Sequence, residues 1–216
     1  MPLSVAVPAQ AGAHPCGAEA RLPVSMIPGA WLEVKLALAG CWHLVRGDPG
    51  GLRYFDRSRD GFWRSFRAAV LAYPLFLVLL TLRISAAQWH SVGGWRITAI
   101  ETISYVIGWT AFPLIVLTLT RRIGALHRYF DFMVAYNWSQ LPESGLFLLV
   151  GILGTSGVFG DGTDALLGLA AAVAVFVYEW FVARVALDTS GVAAAIVVSS
   201  DLLLSVVLSE VAASLY

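Results

Sequence analysis

Long apolar stretches alternate with short polar or glycine-rich breaks through the last two thirds of the chain, and the pattern predicts a bundle of membrane-spanning helices. Crossing roughly 30 Å of hydrocarbon takes about 20 predominantly apolar residues. The first stretch, Ala68–Leu82, contains Pro74 and is long enough if Phe66 and Ile84 join it. The second runs Ile97–Thr120, with a kink expected at Pro113. The third, Gly145–Phe159, is followed by the turn Gly160-Asp161-Gly162-Thr163 and by a fourth, Ala165–Ala183; the fifth is Val192–Ala213. Proline is tolerated inside a span because neighbouring helices and hydroxyls satisfy the carbonyl it frees. The expected fold is all-α, a polytopic bundle of five spans over residues 68–216. The third stretch is short and ends in Gly, Ser and Thr, so four spans plus a re-entrant segment is the alternative.

Two shorter segments read as amphipathic interfacial helices. Trp31, Val34, Leu38, Trp42 and Val45 recur on one helical face, but Glu33 and Lys35 interrupt the run and it is too short to span. Such a helix would lie on the membrane surface or pack as a small soluble helix on the rest of the protein. Arg121–Leu141 starts with Arg121, Arg122 and Arg128 beside Tyr129 and Phe130 and reads as a second interfacial helix. Between them, Arg46–Arg67 carries six arginines and three aspartates around Pro49-Gly50-Gly51, and its Phe62, Trp63 and Phe66 lead into the first span like an interfacial aromatic belt. Residues 31–67 thus form a helix and loop outside the bilayer. Residues 1–30 hold five prolines among small residues and no basic start before an apolar run; they read as a disordered tail, or as a mis-assigned start before Met26.

Composition sharpens the class. Hydrophobic residues make up 58% of the 216 and charged ones 13%, with mean hydropathy +0.76, more than an ordinary soluble domain could bury. Net charge is zero, which argues against nucleic acid as a partner. With the N-terminus in the cytoplasm, twelve cations fall inside and only Arg83 and Arg96 outside, a strong positive-inside bias. Cys16 and Cys41, and four scattered histidines, show no metal or disulfide spacing, and the catalytic motifs of hydrolases, nucleotide-binding folds and metalloproteases are missing; no cofactor, metal or enzymatic activity is expected.

The chemistry therefore rests on ionisable groups within the spans, each of which costs about 2.5–3.5 kcal/mol near a helix centre. Asp201 falls near the midplane of the fifth span, with Ser205 one turn on; Glu210 lies in the same span and Glu101 in the second, both toward the outside, and Glu179 lies in the fourth toward the cytoplasm. Tyr105 shares a stripe with Glu101. These residues form a candidate polar path for protons or cations; the competing reading is a protonated Asp201 that hydrogen-bonds a hydroxyl or Arg184 and holds the bundle together. Arg184 and Asp188, at i and i+4, are a candidate ion pair at the interface. Gly151, Gly154, Gly157 and Gly160 recur every third residue and suggest close helix packing.

Asp60-Gly61-Phe62-Trp63-Arg64-Ser65-Phe66, following Arg46-Gly47-Asp48 and Phe55-Asp56, resembles the entry to the first span in a family of uncharacterised multi-pass inner-membrane proteins of alphaproteobacteria. The topology, a cytoplasmic N-terminal segment and five spans, is similar to that of Yip1-type membrane proteins. Both resemblances imply a bacterial inner-membrane location and no catalytic residues. The expected function is a non-enzymatic organising or accessory membrane component, with the bilayer, other membrane proteins or a second copy as partners and Arg46–Arg67 as contact surface. The alternative is a small proton- or cation-coupled transporter or channel.

Overall fold

The computed structural model describes residues 29–157 and 160–216, so the expectations for the N-terminal tail fall almost wholly outside the described residues. Within them all regular structure is helical. α1 (Ala30–Val45) leads through a 3-10 turn (Pro49–Tyr54) to α2 (Arg59–Ser65) and α3 (Arg67–Arg83). A short α4 (Ala86–Gln88) and a π-helical turn (Trp89–Gly93) enter α5 (Gly94–Arg122); then come α6 (Tyr129–Thr155), α7 (Asp161–Ala186) and α8 (Gly191–Ser214). Four helical stretches are long and apolar enough to cross a membrane: Arg59–Arg83, Ala86–Arg122, Gly162–Ala186 and Gly191–Ser214. The last two end and begin within a few residues of those expected; Arg59–Arg83 and Ala86–Arg122 begin about nine and eleven residues earlier, because α2 precedes α3 and the short α4 and π-helical turn precede α5.

The helices form a ring. α3 packs on α6, α6 on α7, α7 on α8 and α8 on α5. α5 returns to α3 through the Tyr73 and Thr102 hydroxyls, 2.9 Å apart, and a 2.7 Å bond from Tyr105 Oη to the carbonyl of Ala69. Pro74 and Pro113 sit inside α3 and α5 without ending them.

α6 corrects two expectations. Arg121–Leu141 is not an interfacial helix: α5 runs on to Arg122, a turn follows, and one unbroken helix runs from Tyr129 to Thr155, through Pro142 and into the expected third span. Phe132 to Ser139 are all buried, so the first half of α6 is the hub of the core, covered by α1, α2 and α3. Its second half is continuous helix, and α6 is not among the four stretches long and apolar enough to cross a membrane. Of the spaced glycines, Gly151 is in close contact with Leu79 and Leu82 of α3, at 3.5 and 3.4 Å from where a side chain would begin, while Gly157, at φ +68°, ends the helix in the left-handed conformation that glycine alone adopts freely.

α1, the 3-10 turn and α2 form a module at one end of the ring. Gly40 and Gly51 let α1 and the turn touch: a side chain on Gly51 would meet the Gly40 carbonyl oxygen at 2.6 Å. The buried face of α1 is Ala37, Gly40, Cys41 and Leu44. Of the apolar stripe, Trp31, Leu38, Trp42 and Val45 are exposed, as a surface-lying helix requires and a helix packed through that stripe does not. Small residues face the protein because α6 and the turn come so near.

The arginine-rich segment is knitted inward. Glu33 accepts from Arg64 Nε at 3.2 Å and Arg67 Nη1 at 2.7 Å; Arg64 also pairs with Asp56, and Arg57 with Asp131 of α6 at 3.1 Å. Ser58 caps α2 through the amide of Gly61 at 3.0 Å. At the junction with α3, buried Ser65 Oγ accepts from Nδ2 of buried Asn137 at 2.8 Å, which sets the height of α3 against α6. His43 bonds Asp48 at 2.8 Å and stacks on Tyr54. The backbone amide of Gly50, and then His43, hold the Asp48 carboxyl below the usual range.

Candidate functional site: a polar cavity inside the helix ring

α6 brings a stripe of polar residues into the ring, Tyr136, Asn137, Gln140, Glu143 and Ser144, at helical spacing on one face. Glu143 is buried, and its carboxyl lies beside that of Glu179 on α7. Gln140 Nε2 donates to Glu179 Oε1 at 3.3 Å. Asp201 of α8 stands next to Tyr136 and close enough to Glu143 and Glu179 to act on their charge. Three carboxyl groups from three helices thus converge.

Asp201 also faces a partly open cavity of about 290 Å³ lined by residues of α3, α5, α6 and α8. Aromatic walls come from Phe76, Tyr105, Trp109, Phe112 and Tyr136, and polar groups from Asn137, Ser144, Ser205 and Ser209. Asp201 and Ser209 stand roughly 12 Å apart along α8, at about 1.5 Å per residue, so the cavity is elongated along the ring axis. The end away from the module holds Arg83, whose Nη2 reaches Ser209 Oγ at 3.5 Å, and Glu101, which accepts from Tyr216 Oη at 2.6 Å. Toward the module, Ser139 and Tyr178 hydroxyls meet at 2.8 Å beside Cys41 of α1. Burial pushes the Cys41 thiol up to about 12.

Of the expected path residues, Glu101, Tyr105, Asp201 and Ser205 all line this cavity; Glu179 is not part of its lining and bonds Gln140. Glu210 does not join them: it is exposed on the outer face of α8. Arg184 and Asp188 do not pair. Arg184 lies over the Trp180 ring, 5.4 Å from its centre, and Asp188, at φ +49° just past α7, reaches Arg128 at 3.5 Å. The left-handed turn at Asp188 carries its side chain off the face that Arg184 occupies. Glu143, Gln140, Tyr136 and Asn137 were missed, because the segment was assigned to a surface helix ending at Leu141; the i, i+4, i+7 spacing of Tyr136, Gln140 and Glu143 was the available signal.

Comparison with protein-family models, curated protein sequences and solved structures finds no match.

Proposed function

We propose that this chain is a five-span membrane protein in which α3, α5, α6, α7 and α8 cross the bilayer, and that it works as a small proton-coupled transporter. The observation that carries this reading is the meeting of Glu143, Glu179 and Asp201 beside a polar cavity, within helices whose outer faces are apolar. Buried acidic groups at such depth are costly unless they serve a path or a bundle contact. A contact alone needs one partner each, whereas here three acids sit together and Asp201 remains open to the cavity.

α6 has 27 residues, about 40 Å of helix, enough to cross. Its polar stripe keeps its hydropathy low and faces the ring, where lipid is not met. The arginine distribution supports placing the module in the cytoplasm of a bacterium and the Arg83–Glu101 mouth outside its inner membrane. The exposed Trp31, Trp42 and Trp63 of the module fit the interfacial belt of that same leaflet. The reading as an organising or accessory component, docking through Arg46–Arg67, has less support, since Arg57, Arg64 and Arg67 are paired within the chain.

Reconstituted into liposomes carrying a pH gradient, the wild-type protein is expected to dissipate that gradient, and Asp201→Asn and Glu143→Gln to abolish the effect while Glu210→Gln leaves it intact. Equal rates in all four, or none above empty liposomes, would refute the reading.

A further inference from the structure

The lining of the cavity points to a ligand class. Carboxylates stand at both ends, Asp201 deep and Glu101 at the mouth. Between the two ends the walls are the faces and edges of Tyr105, Trp109 and Phe112. Arg83 supplies the cavity's one cationic side chain, at the mouth and already directed at Ser209.

An occupant here meets acceptors and π-faces. An anion would be repelled by Asp201, and a neutral solute would leave its charge unpaired whenever it is ionised. A bare metal ion would find few oxygens, since much of the wall is aromatic. An ammonium group on a compact apolar body matches each part: charge to Asp201, and hydrocarbon to the rings, whose negative faces also attract the cation. A cavity of about 290 Å³ holds a molecule of modest size, at the lower end of ligand sites.

We propose that the cavity between α3, α5, α6 and α8 binds a small organic ammonium ion, with Asp201 as its counter-charge. This rests on the cavity being the solute compartment of the transporter read above. Exchange follows from the same geometry: a cation paired with the Asp201 carboxylate excludes a proton from it, and a proton that binds Asp201 removes the counter-charge and releases the cation.

The test uses the full chain in lipid nanodiscs and calorimetric titration with benzylammonium, benzyl alcohol and benzoate. Benzylammonium is expected to bind and the other two not. Asp201→Asn should weaken it by about tenfold or more, the loss of one charge-assisted contact. Ser144→Leu, which fills the cavity and leaves every charge in place, should abolish it, and circular dichroism shows whether each variant keeps its helices. Equal binding of benzyl alcohol, or unaltered benzylammonium affinity in both folded variants, would overturn the proposal, as would no binding to the folded wild type. Liposome flux separates the two claims. Acid-dependent flux with no ammonium binding discards the ligand class and keeps the proton path, whereas ammonium binding with flux unaffected by Asp201→Asn discards the path and keeps the site.

Discussion

Replacing Gly61 by alanine puts two effects of opposite sign in competition. Alanine in place of glycine inside a helix favours folding by about 0.5–1 kcal/mol. At Gly61, however, the new methyl group would collide with the carbonyl oxygen of Asp56 and come within 2.7 Å of its carbonyl carbon and 2.9 Å of its Cγ. These are backbone and short side-chain atoms that cannot swing away. The Asp56 peptide must shift, and it carries Ser58, whose hydroxyl caps α2 through the Gly61 amide, and the carboxylate that pairs with Arg64. Overpacking costs about 1–3 kcal/mol and a weakened cap about 1 kcal/mol, so the net expectation is a loss of about 1–3 kcal/mol. For a chain of this length that lowers Tm by about 2–12 °C. Gly168→Ala is the control: nothing stands near its added methyl group, so the propensity gain is unopposed. Both variants can be compared with wild type by thermal unfolding followed by circular dichroism in one detergent. A Gly61→Ala protein as stable as Gly168→Ala would refute the packing drawn around Asp56.

Ser65→Ala leaves the buried amide of Asn137 without its acceptor and should cost about 1–2 kcal/mol, and a double-mutant cycle with Asn137→Leu should show coupling of at least about 0.5 kcal/mol in the same unfolding assay; additive effects would place no bond there. Asp188 adopts a left-handed conformation where glycine is unstrained, so Asp188→Gly should be neutral or raise stability by up to about 1 kcal/mol, whereas a marked drop in Tm would give the exposed contact with Arg128 a weight that solvent screening denies it. The Cys41 thiol, pushed up to about 12 by burial, should be un-ionised at every physiological pH. In a Cys16→Ser background a maleimide should therefore label Cys41 slowly in mild detergent at alkaline pH and rapidly once SDS unfolds the chain; equal rates would show that α1 does not pack on α6 and α7.

Much of the fold was legible because lipid-facing helices carry their signal in continuous apolar runs, and α5, α7 and α8 begin and end close to where those runs do. α6 was hidden for the opposite reason. Its Asn137, Gln140 and Glu143 are satisfied or sheltered by neighbouring helices, which a window of sequence cannot see, and its leading Arg128 and flanking aromatics imitate a surface helix. Asp201, Glu101 and Glu179 could be found one residue at a time, since any acid in an apolar run stands out. That Glu210 turns away from them follows from its azimuth on α8, which depends on how that helix packs on α5 and α7. The packing face of α1 was not legible, because the contact is made by Ala37, Gly40 and Cys41, small residues that leave no apolar stripe in the sequence.

Infrared difference spectroscopy in deuterated buffer, recorded as acid is added to the purified protein in lipid, observes the buried carboxyl groups themselves. Proton sharing among Glu143, Glu179 and Asp201 predicts a protonated-carboxyl band that changes with bulk acidity, is altered in Glu143→Gln and in Asp201→Asn, and is untouched in Glu210→Gln. A band indifferent to the first two substitutions, or its complete absence, would contradict the account.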